Sequence, residues 1–312
     1  MQSCINSSQE STSAYRSRAT IFCRVLFLAG ACLLPHGSLD AQEVSWTGLA
    51  DGLAVTVWEP GARCEEDSPL LMVKVDPERF RFSTYHFRDE GLPAPVTIQE
   101  WQQRTNASLL FNAGLFQEDY SYMGLLFKEG KPLGTKRHPR WQGLFVAEPV
   151  EPGVRKAHVL DLAFEPFRED QPAYREAAQS LMLLDRTGKP RVRQTGKRAH
   201  QTVVAEDGEG RILLIKTTDM VTLRGLADCL RGGFPSIRQA MAMDGGSSSD
   251  LLIVSELLKP LRNGREPFRW YSLLDGSGTG HITLPAVIGI QPRTGETRAG
   301  SGARPSSSSR HR

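Results

Sequence analysis

Residues Ala240 to Val254 read AMAMDGGSSSDLLIV, so one carboxylate, Asp244, stands between an apolar run and a cluster of glycines and serines. A second apolar run resumes at once. A carboxylate at the end of a buried strand can attack or stabilise an electron-poor carbon, or activate a water. A loop of residues with almost no side chain can bring backbone N–H groups against an anion. Asp244 suits the first task, and Gly245, Gly246, Ser247 and Ser248 suit the second. The plainer reading is a turn, with Asp244 doing no more than capping it.

Other polar residues stand where strands should end. Asn112 follows an apolar run and precedes Ala113-Gly114, which makes it a pocket residue or a buried turn residue. Asp219 closes LLIKTTD and is either a pocket carboxylate or part of the cap of the next helix. His200 sits among Arg198, Gln201 and Thr202, a polar group that can bind an anionic substrate or serve structure alone. Glu118, beside Asp119, is a substrate contact or a solvated charge. The basic run GTKRHPRW, Gly134 to Trp141, reads as an exposed loop, with a phosphate clamp as the alternative. Asn112 and Asp244 are expected to open onto one cleft, with Gly114, Thr202 and the Gly245-Gly246 backbone around it.

The elements that would position these residues are strands interleaved with a few helices. GLAVTVWEP and PLLMVKVDP read as strands stopped by Pro60 and Pro77. VTIQEWQQRTN reads as a short helix capped by Thr97, with Glu100 completing a capping box. ASLLFNAGLF is a buried strand entering a glycine turn. Three hairpins are expected, turning at Glu129-Gly130, Thr187-Gly188 and near Gly208-Gly210. TLRGLADCLRG reads as an amphipathic helix from a Thr222 cap to a stop at Gly232, followed by a strand over Gln239 to Asp244. HITLPAVIGIQP supplies a last strand. The expected class is α+β: one domain over 42–292 of mixed, twisted β-sheet layers with a few packing helices.

The 312 residues carry a formal charge of +3, unevenly placed. The tail from Arg293 holds five arginines and one glutamate, and the body is left slightly acidic, with no basic excess to attract nucleic acid. In residues 1–41, Arg16, Arg18 and Arg24 precede the ten-residue run VLFLAGACLL, too short to span a bilayer but right for a signal-peptide core. Cleavage after Ala41 gives an exported chain with no membrane span; Cys32 in LAGAC offers lipid anchoring as the alternative. The stretch 293–312 reads as a disordered basic tail. Cys64 and Cys229 remain after the leader and are either paired or separate thiols. CxxC and HExxH spacings are absent, so no metal or other cofactor is implied. GxSxG, Walker and dinucleotide-binding patterns are absent too.

FNAGLF, YSYMGLLFKEGKP, QTVVAEDGEGRILLI and AMAMDGGSSSDLLI occur in that order, and the set resembles the phosphodiester glycosidase domain over roughly Leu70 to Ile290. That resemblance implies an exported hydrolase acting on a sugar-1-phosphodiester or phosphate-bearing polysaccharide. Beside that resemblance, the reading of the residues makes Asp244, Asn112 and Asp219 the candidates for catalysis, with the Gly/Ser loop holding phosphate or sugar. Two departures stand out. Gln201 precedes Thr202 where the family commonly has arginine, leaving Arg198 or His200 to supply the positive charge. Ser247 stands where a third glycine is usual. The alternative implied by Gln201 is a non-catalytic exported carbohydrate-binding or exopolysaccharide assembly factor on the same fold.

Overall fold

The computed structural model describes residues 44–61, 64, 68–262, 268–278 and 280–293. The leader and the basic tail beyond Arg293 lie outside the described residues. In chain order the first strands are β1 (Thr47–Ala50), β2 (Leu53–Trp58), β3 (Leu70–Val75), β4 (Phe80–His86), β5 (Leu109–Asn112), β6 (Leu126–Lys128) and β7 (Lys131–Pro132). Next come β8 (Gly143–Pro149), β9 (Ala157–Asp161), β10 (Tyr174–Leu184), β11 (Arg198–Ala199), β12 (Thr202–Asp207) and β13 (Ile212–Thr217). The last are β14 (Val221–Thr222), β15 (Ile237–Ala242), β16 (Leu251–Ile253) and β17 (Ala286–Pro292). Helices α1 (Ile98–Thr105) and α2 (Leu223–Gly233) are the packing helices, and α3 (Lys259–Arg262) is a single turn.

An 11-stranded sheet runs β1-β2-β3-β13-β12-β15-β10-β6-β7, with β8 and β9 attached beside β10. A 4-stranded sheet runs β16-β5-β17-β4, and β11 pairs with β14 apart from both. The core between the two larger sheets joins Val73, Leu214 and Met241 to Phe82, Phe111 and Ile288. Helix α2 covers the outer face of the large sheet through Leu226, Ala227 and Leu230, against Met72, Val203 and Ile215. Helix α1 covers the outer face of the small sheet through Ile98 and Trp101, against Leu110, Leu252 and Val287. The result is a four-layer stack, α2, large sheet, small sheet, α1, in keeping with the expected α+β class.

Burial on both faces explains why the central strands read as unbroken apolar runs. In β13, Ile212 and Leu214 enter the core between the sheets, while Leu213 and Ile215 face α2. The same two-residue period puts Lys216 on the inner side, at the end of the strand.

Local signals explain the helices. Thr97 accepts from the Glu100 N–H and the Glu100 carboxylate accepts from Thr97 N at 2.8 Å, a complete capping box. Asn106 ends α1 in the left-handed region, φ 51°. Thr222 caps α2 by accepting from Gly225 N at 3.0 Å. Helix α2 passes Gly232 and ends after Gly233, where the Trp58 ring fills the space a Cβ would need. The turn at Glu129-Gly130 has both residues at positive φ, as a tight hairpin requires. The Thr187-Gly188 turn forms, but its returning arm is reduced to one bridge, Leu184 to Pro190. Cys64 and Cys229 form a disulfide, 165 positions apart, which ties α2 to the segment before β3.

Candidate active site

Strand β15 ends at Ala242, and two residues later Asp244 reaches a cleft of about 450 Å3. Its Oδ1 accepts from Gly245 N at 3.0 Å, and the Ser248 hydroxyl also bonds the carboxyl group. Burial pushes the Asp244 pKa above the ordinary carboxylate range, against the pull of those hydrogen bonds and of the Lys197 charge. The backbone around Asp244 is held from the small sheet: Asp244 N donates to Ala113 O at 3.2 Å.

The small residues after Asp244 have a packing reason. A Cβ on Gly245 would come within 2.8 Å of Gln201 Oε1 and 2.9 Å of His200 O, so the 200–201 segment can lie against the loop only if that residue is glycine. Gly246 adopts φ +70°, which opens the turn into the 3-10 segment Gly246–Ser248. The expected anion cradle is reduced, however. Gly245 N is bonded to Asp244 itself and Gly246 N to His200 O at 2.8 Å. Ser247 is exposed and Ser248 is buried.

Asn112 lies beside Asp244 but does not open onto the cleft. It is 1% exposed, and its amide serves the main chain on both flanks of the loop. Nδ2 donates to Asp244 O at 2.8 Å, and Oδ1 accepts from Asp250 N at 3.0 Å. Asn112 thus clips the two ends of the loop together, which corrects the expectation that its side chain faces the ligand. Gly114 is buried too; its N–H donates to the Tyr122 hydroxyl, which occupies the space of a side chain. Thr202 is fully buried, its hydroxyl 2.9 Å from Ser249 Oγ, away from the cleft wall. Asp219 is exposed, receives a hydrogen bond from Ser68 Oγ at 3.2 Å, and neither lines the cleft nor caps α2. Arg198 donates to Met220 O, and His200 contributes its carbonyl rather than its ring to the loop. Glu118 is exposed and outside the cleft lining.

The positive charge comes from elsewhere. Arg140, Arg191, Arg193 and Lys197 line the cleft, with Gln201 at its floor beside Gly245. Arg140 belongs to the run read as an exposed loop. That loop is fixed by Gln179, which is fully buried and bonds His138 N and His138 O at 2.9 Å and Trp141 O at 2.6 Å. Its side of the cleft is therefore built, not draped. Arg191 is held by Asp161 at 3.2 Å and Asp185 at 3.6 Å. The signal for Arg193 and Lys197 in the sequence is the density of cations in RVRQTGKR, which also contains Arg198.

Behind the loop lies a second group of charges. Asp250 is 4% exposed, 2.6 Å from His281 Nδ1 and 3.8 Å from Lys216 Nζ. The other ring nitrogen of His281 faces Gly276 O at 2.9 Å, and Lys216 donates to Ser249 O. Burial lowers the Lys216 pKa, with Asp250 opposing. These groups border a small cavity of about 70 Å3. Among the described residues no three His, Cys, Asp or Glu side chains gather as a metal site.

Residues 105–271 match the family model of the phosphodiester glycosidase. The chain belongs to the phosphodiester glycosidase family. Its fold is also that of the catalytic domain of zebrafish N-acetylglucosamine-1-phosphodiester alpha-N-acetylglucosaminidase, at TM-score 0.53 and 13% identity, over 80% of this chain and 88% of that one. A hypothetical protein from Synechocystis aligns at TM-score 0.56 and 12% identity, covering 81% of this chain. This chain spans 64% of that protein's length. No curated protein matches the sequence. Within this family the matched segment contains Asn112, Arg140, Lys197, Gln201 and Asp244, so the clip, the cations and the carboxylate all fall inside it.

Proposed function

We propose that this member of the family is an exported hydrolase that breaks the bond between a sugar's anomeric carbon and the oxygen of a phosphodiester. The observation that carries the reading is Asp244: a carboxylate with a raised pKa in a cleft whose other charges are cations. In the proposed reaction the anomeric C–O bond breaks and the phosphate departs as a monoester. Water supplies the oxygen that joins the sugar. A phosphate leaves readily, so no strong general acid is required, and Asp244 acts ionised, on the anomeric carbon or on the attacking water. Lys197 compensates the phosphate charge. Gly245, with no side chain, lets Gln201 come close enough to orient a sugar hydroxyl.

Export is supported by the order of the leader and by the disulfide, which persists in oxidising compartments. Among the described residues no helix is long and apolar enough to cross a membrane.

The test is turnover of a sugar-1-phosphodiester by the purified chain in ¹⁸O-water. Label in the released sugar supports glycosidic cleavage; label in the phosphate identifies a phosphoesterase and overturns the proposal. Gln201, in place of the family's arginine, favours a second reading, a binding or assembly factor for carbohydrate. Retained binding of a sugar phosphate with no turnover supports that one.

A further inference from the structure

We infer that the alcohol on the far side of the phosphodiester is aliphatic, so that the Asp244 cleft takes an amphiphilic ligand: one sugar, one phosphate and a hydrocarbon chain. This deepens the proposed function and rests on it. The observation behind it is the make-up of the cleft wall. Leu115, Leu181, Met182, Val192, Leu223 and Met243 line the cleft, and among the described residues that line it none is aromatic. Apart from the charged groups, its hydrogen-bonding side chains are Gln142, Thr195 and Gln201. Two of these are already engaged: Gln142 donates to Pro139 O at 2.7 Å and Gln201 to Ala199 O at 3.2 Å.

Apolar lining is common in ligand sites, and a single exposed aliphatic side chain is ordinary. Two features decide here. The first is where the side chains come from. Leu115 follows β5, Leu181 is on β10, Val192 is on the arm after the Thr187-Gly188 turn, and Leu223 begins α2. Each is only partly buried, and Leu181, Val192 and Leu223 lean on the core beneath α2. That core is therefore left open on the side facing the cleft. Leu181 pairs with Ala242 across the sheet, which sets the apolar wall two residues from Asp244. Val192 stands between Arg191 and Arg193, so the wall adjoins the cations. The second feature is what the wall lacks. A second sugar needs a partner for each hydroxyl, or an aromatic face against its C–H groups, and aliphatic side chains offer neither. A hydroxyl that leaves water there without a new partner weakens binding. A methylene in the same place leaves water at a gain. With the sugar and phosphate held by Asp244, Gln201 and the cations, the group left to meet the aliphatic wall is the alcohol.

The experiment compares, below micelle-forming concentrations, substrates with one cleavable sugar-1-phosphate and four alcohols: methyl, butyl, octyl and a second sugar. From methyl to octyl, kcat/KM is expected to climb by up to about fourfold per methylene over the first few carbons, and the octyl substrate to exceed the glycosyl one by at least about tenfold. The gain should survive high salt, as a charge effect would not. Val192→Ser and Leu223→Ser are each expected to flatten the climb. The octyl-to-methyl ratio is read within each variant, so a loss of folded protein cancels. A climb of the parent slope in both variants places the chain elsewhere and overturns the inference. Equal rates on all four substrates, or a faster glycosyl substrate, overturn it while leaving the proposed hydrolysis intact. If no substrate turns over, binding of non-cleavable phosphonate analogues still decides: tighter binding of the octyl analogue than of the glycosyl one sustains the inference, and equal or weaker binding ends it.

Discussion

Asp244 and Asp250 bracket the same loop, and their surroundings are opposite. Asp250 is deep between the sheets, with His281 on one oxygen and Lys216 near the other. Asp244 is also largely withdrawn from water; Ser248, Gly245 N and the Lys197 charge offset only part of the burial, which raises its pKa. Burial with matched charge makes a carboxylate part of the frame. Burial that is only partly offset leaves a carboxylate whose ionised form is held at a cost. The loop between them is thus anchored at one end and open to the cleft at the other, and Asn112 ties the two ends together.

The comparison breaks most visibly in a pair of substitutions. Asp244→Asn is expected to lower kcat by about 10² to 10⁴ while the melting temperature stays close to that of the parent chain. Asp250→Asn is expected to do the reverse, costing about 3–5 kcal/mol of stability by stranding Lys216 and His281. Kinetics and thermal unfolding on the same preparations check both; a fully active Asp244→Asn protein removes the catalytic assignment. Lys216→Met should also destabilise by several kcal/mol, whereas Lys197→Ala, at the exposed rim of the cleft, should raise KM and leave stability within about 0.5 kcal/mol. Denaturant titration separates them.

The two glycines sharpen the contrast further. Gly245→Ala drives a Cβ into His200 O and Gln201 Oε1, an overpacking cost of about 1–3 kcal/mol that also displaces Asp244. Gly246→Ala meets open space and pays only for its positive φ, about 1–2 kcal/mol. Activity should fall more steeply than stability in the first and track stability in the second.

The smallest expected effect is on pH dependence. Because burial raises the Asp244 pKa, the folded chain holds that proton longer than the unfolded chain does. Stability therefore falls as pH rises from the ordinary carboxylate range through the raised value. The rate should climb through the same window, because the ionised form acts. Asp244→Asn should flatten the stability difference, which parallel unfolding curves across acid pH will register. An unchanged stability profile in that variant argues that the carboxyl group is not strained by burial.

What the sequence made legible was local. The Thr97 capping box, the Thr222 cap, the Glu129-Gly130 turn and the strand ending near Asp244 all rest on residues within a few positions of one another. What it concealed depends on which face a residue takes after the sheets stack. Asn112 stands at a strand end, as expected, yet the packing of β5 against β16 turns its amide to the main chain. Asp250 was in plain view at the start of an apolar run, but Lys216 and His281, which give it meaning, come from β13 and from the segment before β17. The cleft cations are scattered from Arg140 to Lys197, and only the fold shows that they converge while Arg198 turns away. Apolar period does not encode such convergence.

The Cys64–Cys229 bond closes a covalent ring around most of the strands. Arg140, Arg193, Lys197 and Asn112 lie on that ring, while Asp244 and its loop lie on the open arm beyond it. A protease that nicks the exposed stretch around Gln194 to Lys197 would cut the ring without releasing a fragment. The nicked chain would keep its parent mass apart from one added water until a reductant opened the bridge, and only then separate into two pieces.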